Sequence, residues 1–210
     1  MPKISAEKRT ERRGQILNAA WRCFQREGLH VTTMNDIIGA SGLSAGAVYS
    51  YFENKEDLIL AALTTSLSEL RERLGSVLQG DAARPPEMLL VEMLDRIVSF
   101  SAREGFDLKN IALLGWSEAQ RNPRLRETMS AFYVAFRNQL SETAKAWQRA
   151  GLIAPTAAPD DVAKTLLALI MGFVAQSVII GEIDPPTINR GLQALRQRQG
   201  GSFESATTPA

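Results

Sequence analysis

Two residue types that build metal and redox centres are almost missing. The 210 residues include one cysteine, Cys23, and one histidine, His30. A single cysteine excludes an internal disulfide. One thiol and one imidazole cannot form the four-ligand cage of a zinc site, and no carboxylates stand at calcium-ligand spacing. We therefore predict neither a bound metal nor a cofactor.

Catalytic signatures are missing as well. Residues 42–46 read Gly-Leu-Ser-Ala-Gly and match the G-x-S-x-G nucleophile elbow of hydrolases, but that elbow follows a β-strand and needs a histidine further along the chain. Here a helical pattern precedes the motif, and His30 lies upstream. No glycine-rich phosphate loop follows a strand either. The protein is predicted not to be an enzyme.

Strand patterns are also lacking. No run alternates apolar and polar residues between turns, whereas apolar residues recur at helical spacing along most of the chain. We predict an all-α fold of about nine helices, several of which begin at a proline or a polar capping residue. The predicted helices are 9–27, two short helices within 33–52, 55–78, 86–103, 107–120, 123–150, one from 159 and one from 185.

Membrane features are weak. The charged stretch 3–13 stands where a signal peptide would need an apolar segment, so we expect a cytoplasmic protein. Residues 162–180 are nearly apolar, but Lys164 and Gln176 interrupt them and no aromatic or basic belt flanks them. We predict no membrane insertion. Instead, this helix should face the core on one flank and a second subunit on the other.

The formal net charge is only +1, but its distribution is uneven. Residues 1–30 carry seven Lys and Arg against three Glu. Such an excess suits contact with the phosphates of a nucleic acid. For the outermost cations, Lys3 and Lys8, a solvated terminus explains the charge equally well.

Residues 33–52 predict two short helices joined by a tight turn. Thr33 can cap the first helix, Gly42 stands where the chain must take a positive φ, and Ser44 can cap the second. The second helix keeps an exposed face that could enter a DNA major groove. The inward-facing apolar residues of the segment are Ile37, Ile38, Leu43, Val48 and Phe52.

The pattern over residues 16–60 resembles the DNA-binding motif of the TetR (tetracycline-repressor) family. Ile38 departs from the alanine usual where the two helices cross, and Ala45 departs from the basic or polar residue often found at the start of the second helix. After about Leu63 only the helical layout and the length are similar to the family. The resemblance extends to the exit from the motif, Tyr49-x-Tyr51-Phe52-x-x-Lys55-Glu56-x-Leu58.

This resemblance implies a homodimeric transcriptional regulator, in the usual case a repressor. Two helix-turn-helix units would bind successive major grooves of a palindromic operator, and a small inducer in the larger domain would displace the fourth helix and release the DNA. The implied parts are a DNA-binding domain 1–54, a ligand-binding and dimerisation domain 55–199, and a disordered tail 200–210. The alternative is a helical interaction protein, or a DNA-binding module without a small-molecule ligand.

The same resemblance assigns DNA contacts. Thr33 and Lys55 would contact phosphates, and Tyr49 and Tyr51 would contact the backbone or base edges. Plain structural roles also exist, since Tyr51 could pack against the first helix, the threonine and Ser44 cap helices in any case, and Gly46 could serve only to let the backbone approach closely. The other residues predicted to line the groove are Asn35, Ser44, Ala45, Gly46 and Ser50.

The candidate ligand-binding residues in the larger domain are indicated less specifically. A stripe of aromatic and methionine residues at helical spacing more often belongs to the hydrophobic core than to a ligand site. An apolar lining with few charges favours a hydrophobic or aromatic ligand over a sugar phosphate. The predicted dimer surface lies on the last two helices and includes Val178 and Ile179, since a twofold pairing matches the symmetry of a palindrome. The candidate pocket residues are Phe100, Trp116, Phe132, Phe136, Trp147, Met171, Phe173 and Gln176.

Overall fold

The computed structural model describes residues 5–79, 84–103 and 105–196. Within these ranges the chain forms nine α-helices and one short β-hairpin, so the predicted all-α class is confirmed. The tail predicted for 200–210 lies outside the described residues. The elements are α1 Ala6–Glu27, α2 Met34–Ser41, α3 Ala45–Tyr49, α4 Lys55–Leu78, α5 Pro86–Ser101, β1 Ala102–Arg103, β2 Phe106–Asp107, α6 Leu108–Glu118, α7 Pro123–Arg149, α8 Pro159–Ile179 and α9 Pro185–Arg196.

Local capping chemistry sets most helix starts where the sequence predicts them. At α4, the Asn54 Oδ1 accepts a hydrogen bond of 2.8 Å from the Asp57 N–H. At α7, Asn122 caps the helix in the same way and the first helical residue is a proline. The first helix begins earlier than predicted, at Ala6, because the Ser5 side chain accepts a hydrogen bond from the Lys8 N–H.

The helix-turn-helix unit comprises α1, α2 and α3. Thr33 and Asp36 form a capping box at the start of α2, with the Thr33 N–H donating to the Asp36 carboxylate at 2.7 Å and the Asp36 N–H donating to the Thr33 hydroxyl at 3.3 Å. Gly42 ends α2 with a φ of 68°, and Ser44 then caps α3. The turn chemistry read from the sequence is therefore confirmed.

Two hydrophobic cores hold the chain together, and α4 contributes to both. The N-terminal core joins α1, α2 and α3 to the first half of α4 and also receives residues from α6 and α7; its large members include Ile16, Trp21, Phe24, Ile37, Phe52, Leu58, Leu63, Ile111 and Met129. The C-terminal core joins the last turns of α4 to α5, α7 and α8, with α9 packed against it; its large members include Leu74, Leu90, Met93, Phe136, Leu140, Trp147, Ile170 and Phe173.

The prediction of no strands is wrong at one place. α5 ends at Ser101, before the predicted end near 103, and β1 pairs with β2 in an antiparallel hairpin in which Arg103 faces Phe106. Phe106 is buried in the N-terminal core, and the Asp107 N–H donates to the Gln25 side chain of α1. This hairpin is therefore fixed by docking onto α1, and a two-residue strand carries no alternation that a sequence pattern could show.

We expect Gly42→Ala to lower the free energy of unfolding by about 1–2 kcal/mol, because an L-residue at this positive φ is strained. Gly39→Ala is the matched control. A Cβ would meet no atom within 4 Å at either position, but Gly39 lies inside α2. Alanine there should stabilise the protein by about 0.5–1 kcal/mol. Urea unfolding measures both effects, and destabilisation by both variants would contradict the backbone explanation.

Candidate nucleic-acid interface and ligand cavity

The outer face of α3 is small and carries no long polar side chain. Val48 is buried in the N-terminal core, while Tyr49 is 48% exposed. The Ser50 hydroxyl donates to the Ala47 carbonyl at 2.6 Å, so its proton is already used. The residues predicted to line a DNA groove and found exposed on this face are Ser44, Ala45, Gly46, Tyr49 and Ser50.

Two further residues predicted to contact DNA, Thr33 and Asn35, lie at the exposed start of α2. The Thr33 hydroxyl caps α2 by accepting the Asp36 N–H at 3.3 Å, and it also donates to the Asp36 carboxylate at 2.6 Å. The pKa of Asp36 lies below its ordinary value because the hydroxyl and the N–H of Thr33 both donate to the carboxylate. Asn35 is exposed beside them. Thr33 and Asn35 therefore lie beside the negatively charged Asp36 at the start of α2.

Tyr51 takes the structural role that the sequence left open. It is only partly exposed and packs against the N-terminal core. The guanidinium carbon of Arg9 lies 5.9 Å from the centre of the Tyr51 ring, and that of Arg13 lies 5.7 Å from the centre of the Phe52 ring. Two α1 arginines therefore lie over the aromatic exit from α3.

Lys55 corrects a sequence expectation. Its ammonium donates three hydrogen bonds of 3.0 Å each, to the backbone carbonyls of Leu29, His30 and Thr32. An ammonium has three N–H donors, so none is left for a phosphate in this conformation. The side chain instead holds the loop between α1 and α2 against the start of α4.

A second site is a cavity in the larger domain. Its volume is about 100 Å³, below the size of about 300–1,000 Å³ that is usual for small-molecule sites, so a drug-sized ligand would need the wall to expand. Five of the eight predicted pocket residues line it: Phe100, Trp116, Phe132, Phe136 and Met171. Helices α4, α5, α6, α7 and α8 supply most of the wall.

Three predicted pocket residues lie elsewhere. Trp147 and Phe173 are buried in the C-terminal core, and the Trp147 Nε1–H donates to the Arg84 carbonyl at 2.9 Å. Gln176 is exposed on α8. The prediction was wrong for these residues because helical spacing identifies an apolar stripe but does not tell which part of the stripe meets an open space.

The cavity also contains residues that the sequence did not indicate. Trp21 reaches it from α1, and Lys109 and Tyr133 reach it from α6 and α7. The Trp116 Nε1–H donates to the Tyr133 hydroxyl at 2.8 Å, and burial raises the pKa of Tyr133, so its own proton stays available to donate. Tyr133 follows Phe132 and is three residues before Phe136, so its position in the aromatic stripe was a usable signal. The sequence gave no such signal for Trp21, because this residue belongs to the other domain.

The residues predicted for a dimer surface lie at the end of α8. Val178 is half-buried, while Ile179 is 73% exposed. Ile180, which follows, and Leu195 on α9 are also large apolar side chains exposed in the single chain. Within the described residues, α8 is the one helix long and apolar enough to span a membrane, but by length and composition only.

Because all three N–H donors of the Lys55 ammonium bond to backbone carbonyls, we expect Lys55→Met to lower the free energy of unfolding by about 1–3 kcal/mol. The slope of DNA affinity against salt should not change. Lys145→Met is the control, since Lys145 is exposed and pairs only with Glu142, and it should shift stability by less than about 1 kcal/mol. Urea unfolding and salt titrations of DNA binding measure the two effects. If Lys55→Met instead reduces the slope by about one, Lys55 contacts a DNA phosphate after all.

Comparison with known proteins agrees with this architecture. Residues 16–62 match the family described as bacterial regulatory proteins, tetR family, and residues 87–198 match the C-terminal family of BetI-type transcriptional repressors. The chain is 30% identical to the HTH-type transcriptional regulator BetI of Rhizobium meliloti over 181 residues, which cover 85% of this chain and 83% of BetI. It is 40% identical to the regulator YfiR of Bacillus subtilis over 68 residues, 32% of this chain and only 33% of YfiR.

Solved structures share the fold. A transcriptional regulator from Saccharomonospora viridis in complex with choline superposes with a TM-score of 0.74 at 23% identity, over 90% of this chain and 97% of that one. Salmonella enterica GusR gives 0.69 at 24% identity, over 93% and 100%. At such identities the likeness shows the fold alone. Because the C-terminal family match spans more than half of the sequence and the helix-turn-helix match precedes it, the chain belongs to the TetR family of bacterial transcriptional regulators.

Proposed function

We propose that this TetR-family regulator is a repressor that binds a palindromic operator as a homodimer and is released by a small apolar or aromatic ligand. One observation carries the proposal: the wall of the ligand cavity includes Trp21 of α1 as well as Leu63 and Leu67 of α4. A ligand there would touch the helices that hold the helix-turn-helix unit. Occupancy and DNA affinity would then be coupled through direct contact.

Close packing between α6 and α4 supports the same coupling. A Cβ placed on Gly115 of α6 would lie 3.2 Å from a methyl group of Leu63, so α6 approaches α4 closely at this one point. At the end of α6, the Glu118 carboxylate lies 3.2 Å from the His30 imidazole in the loop before α2. A shift of α6 on ligand binding would therefore reach α4 at Leu63 and the DNA-binding domain at His30.

The proposed ligand class follows from the lining. The cavity wall is almost entirely aliphatic and aromatic, with Ser66, Ser101, Lys109 and Tyr133 as its main polar members. The structure from Saccharomonospora viridis contains choline, a quaternary ammonium ion, and aromatic rings can attract such cations. This makes a cation the natural alternative to a neutral or acidic apolar ligand.

The proposed dimer uses α8 and α9. Only 28% of the apolar stretch of α8 is buried within one chain, Ile179 and Ile180 are exposed at its end, and Leu195 is exposed on α9. An apolar surface of this kind is costly in water and marks a protein contact. Pairing of two copies about a twofold axis would cover it and would present two helix-turn-helix units to a palindrome.

Binding to DNA is tested with the purified full chain, DNA from upstream of its own gene, and unrelated DNA of equal length. We expect specific affinity to exceed nonspecific affinity by about a thousandfold or more at physiological salt, with a palindromic footprint. Equal affinity for both DNAs would favour the alternative of an interaction protein.

Sequence readout by α3 must use small groups. Because the exposed face from Ser44 to Tyr49 lacks Arg, Lys, Asn and Gln, it cannot make bidentate contacts to guanine or adenine. We expect Tyr49→Phe to weaken operator binding by about 1 kcal/mol through loss of the hydroxyl. Replacing thymine by uracil at contacted positions should also weaken binding at one or more steps in each half-site. Operator titrations measure both, and unchanged affinity in both would refute readout by this face.

The dimer surface is tested with Ile179→Asp. Because Ile179 is exposed in the single chain, the variant should fold, but the new carboxylate would be buried unpaired in a dimer, at a cost of several kcal/mol of association. Val31→Asp is the control, as an aliphatic side chain 69% exposed far along the chain from α8. Sedimentation velocity should show a monomer only for Ile179→Asp. An intact dimer for this variant would place the interface elsewhere.

A further inference from the structure

We propose that the ligand of this cavity is an acid, whose carboxylate or similar anionic group pairs with the ammonium of Lys109. This inference rests on the proposed ligand-binding function and adds the charge of the ligand. Lys109 is the one charged residue among those that line the cavity, and its side chain is only 18% exposed. No carboxylate stands in the wall to receive a cation.

The ammonium of Lys109 is not saturated by the protein. Oδ2 of Asp107 lies 3.6 Å from the ammonium, so the two groups form an ion pair, although this distance is too long for a hydrogen bond. The other oxygen, Oδ1, accepts a hydrogen bond of 2.8 Å from the Lys109 backbone N–H as the cap of α6. Within the described residues the ammonium donates no hydrogen bond, in contrast to the three made by Lys55.

The position of Lys109 is electrostatically unfavourable for a cation that has no binding role. It lies in the first turn of α6, where the positive end of the helix dipole repels it. Burying an ammonium beside apolar side chains adds a further penalty. Asp107 offsets part of both effects as the cap of α6 and the ion-pair partner of Lys109, and a bound anion would add the hydrogen-bond acceptor that the ammonium lacks.

A quaternary ammonium fits this wall poorly. Phe100 is one of the cavity aromatics, and two guanidinium groups already lie over its ring. The guanidinium carbon of Arg73 lies 5.2 Å from the ring centre and that of Arg103 lies 4.6 Å from it. A cation at this ring would meet repulsion from these arginines, although Arg103 is itself paired with Glu69 at 3.1 Å, and a cation elsewhere in the cavity would meet the ammonium of Lys109.

The distance along α6 between Lys109 and Trp116 sets the length of the ligand. Lys109 and Trp116 are seven residues apart, which is two helical turns or about 10 Å. Tyr133, bonded to Trp116, keeps a proton to donate at that far end. The cavity therefore suits an acid group near Lys109, an apolar or aromatic body, and a hydrogen-bond acceptor about 10 Å away.

The test is isothermal titration calorimetry of the full chain with probes that share one ring system. These are naphthylacetate, naphthylacetamide and naphthylmethyl-trimethylammonium, with octanoate added to separate aromatic from aliphatic acids. We expect naphthylacetate to bind about tenfold or more tightly than its amide, as a charged hydrogen bond implies, and the ammonium probe to bind least. A tighter octanoate than naphthylacetate would assign an aliphatic acid, and the reverse an aromatic one.

Substitutions at Lys109 then test whether this residue causes the preference for the acid. Lys109→Met keeps the stem and removes the charge, so the acid and the amide should bind about equally, while Lys109→Arg should restore the preference for the acid. Lys145→Met on the outside of α7 should leave the preference unchanged. An acid preference that survives Lys109→Met, or a tighter ammonium probe, would overturn the proposal.

A release assay separates this proposal from the function on which it rests. If the amide or the ammonium probe releases operator DNA as well as the acid does, the ligand-responsive function stands and the acid assignment fails. If the acid binds through Lys109 but leaves operator affinity unchanged, the acid site stands and the proposed regulation fails. If no probe binds, the acid assignment fails.

Discussion

One continuous helix constrains the rest of this molecule. α4 runs for 24 residues, about 36 Å, and its first half is packed into the N-terminal core while its last turns are packed into the C-terminal core. Because an α-helix resists bending without a proline or a similar defect, the two cores cannot move independently. The start of α4 is also held by Lys55, which ties the loop between α1 and α2 to the same rigid element.

Features set by local chemistry could be predicted from the sequence. The capping residues Thr33, Ser44 and Asn54, and the turn at Gly42, act on neighbours within three residues, so the residue types alone indicate the structure. The same holds for the proline starts of α5 and α8. These signals gave the helix-turn-helix unit and most of the helical layout.

Features set by distant contacts could not be predicted in this way. The hairpin at Phe106 exists because it docks on α1, and the three bonds of Lys55 depend on a loop more than twenty residues away in the chain. Trp21 carries the marks of an ordinary core residue of α1, and its place in the ligand cavity follows only from how the cores meet. The family resemblance gave a different expectation for Lys55, a phosphate contact, because a motif does not show which acceptors are within reach of the side chain.

The placement of the three tryptophans gives the protein an optical reporter of its own. Trp21 and Trp116 line the cavity, one from each domain, whereas Trp147 is fixed in the C-terminal core by its bond to the Arg84 carbonyl. A ligand would change the surroundings of two indoles and leave the third as a constant reference. Intrinsic fluorescence could therefore follow occupancy in the unlabelled protein, including while it is bound to DNA.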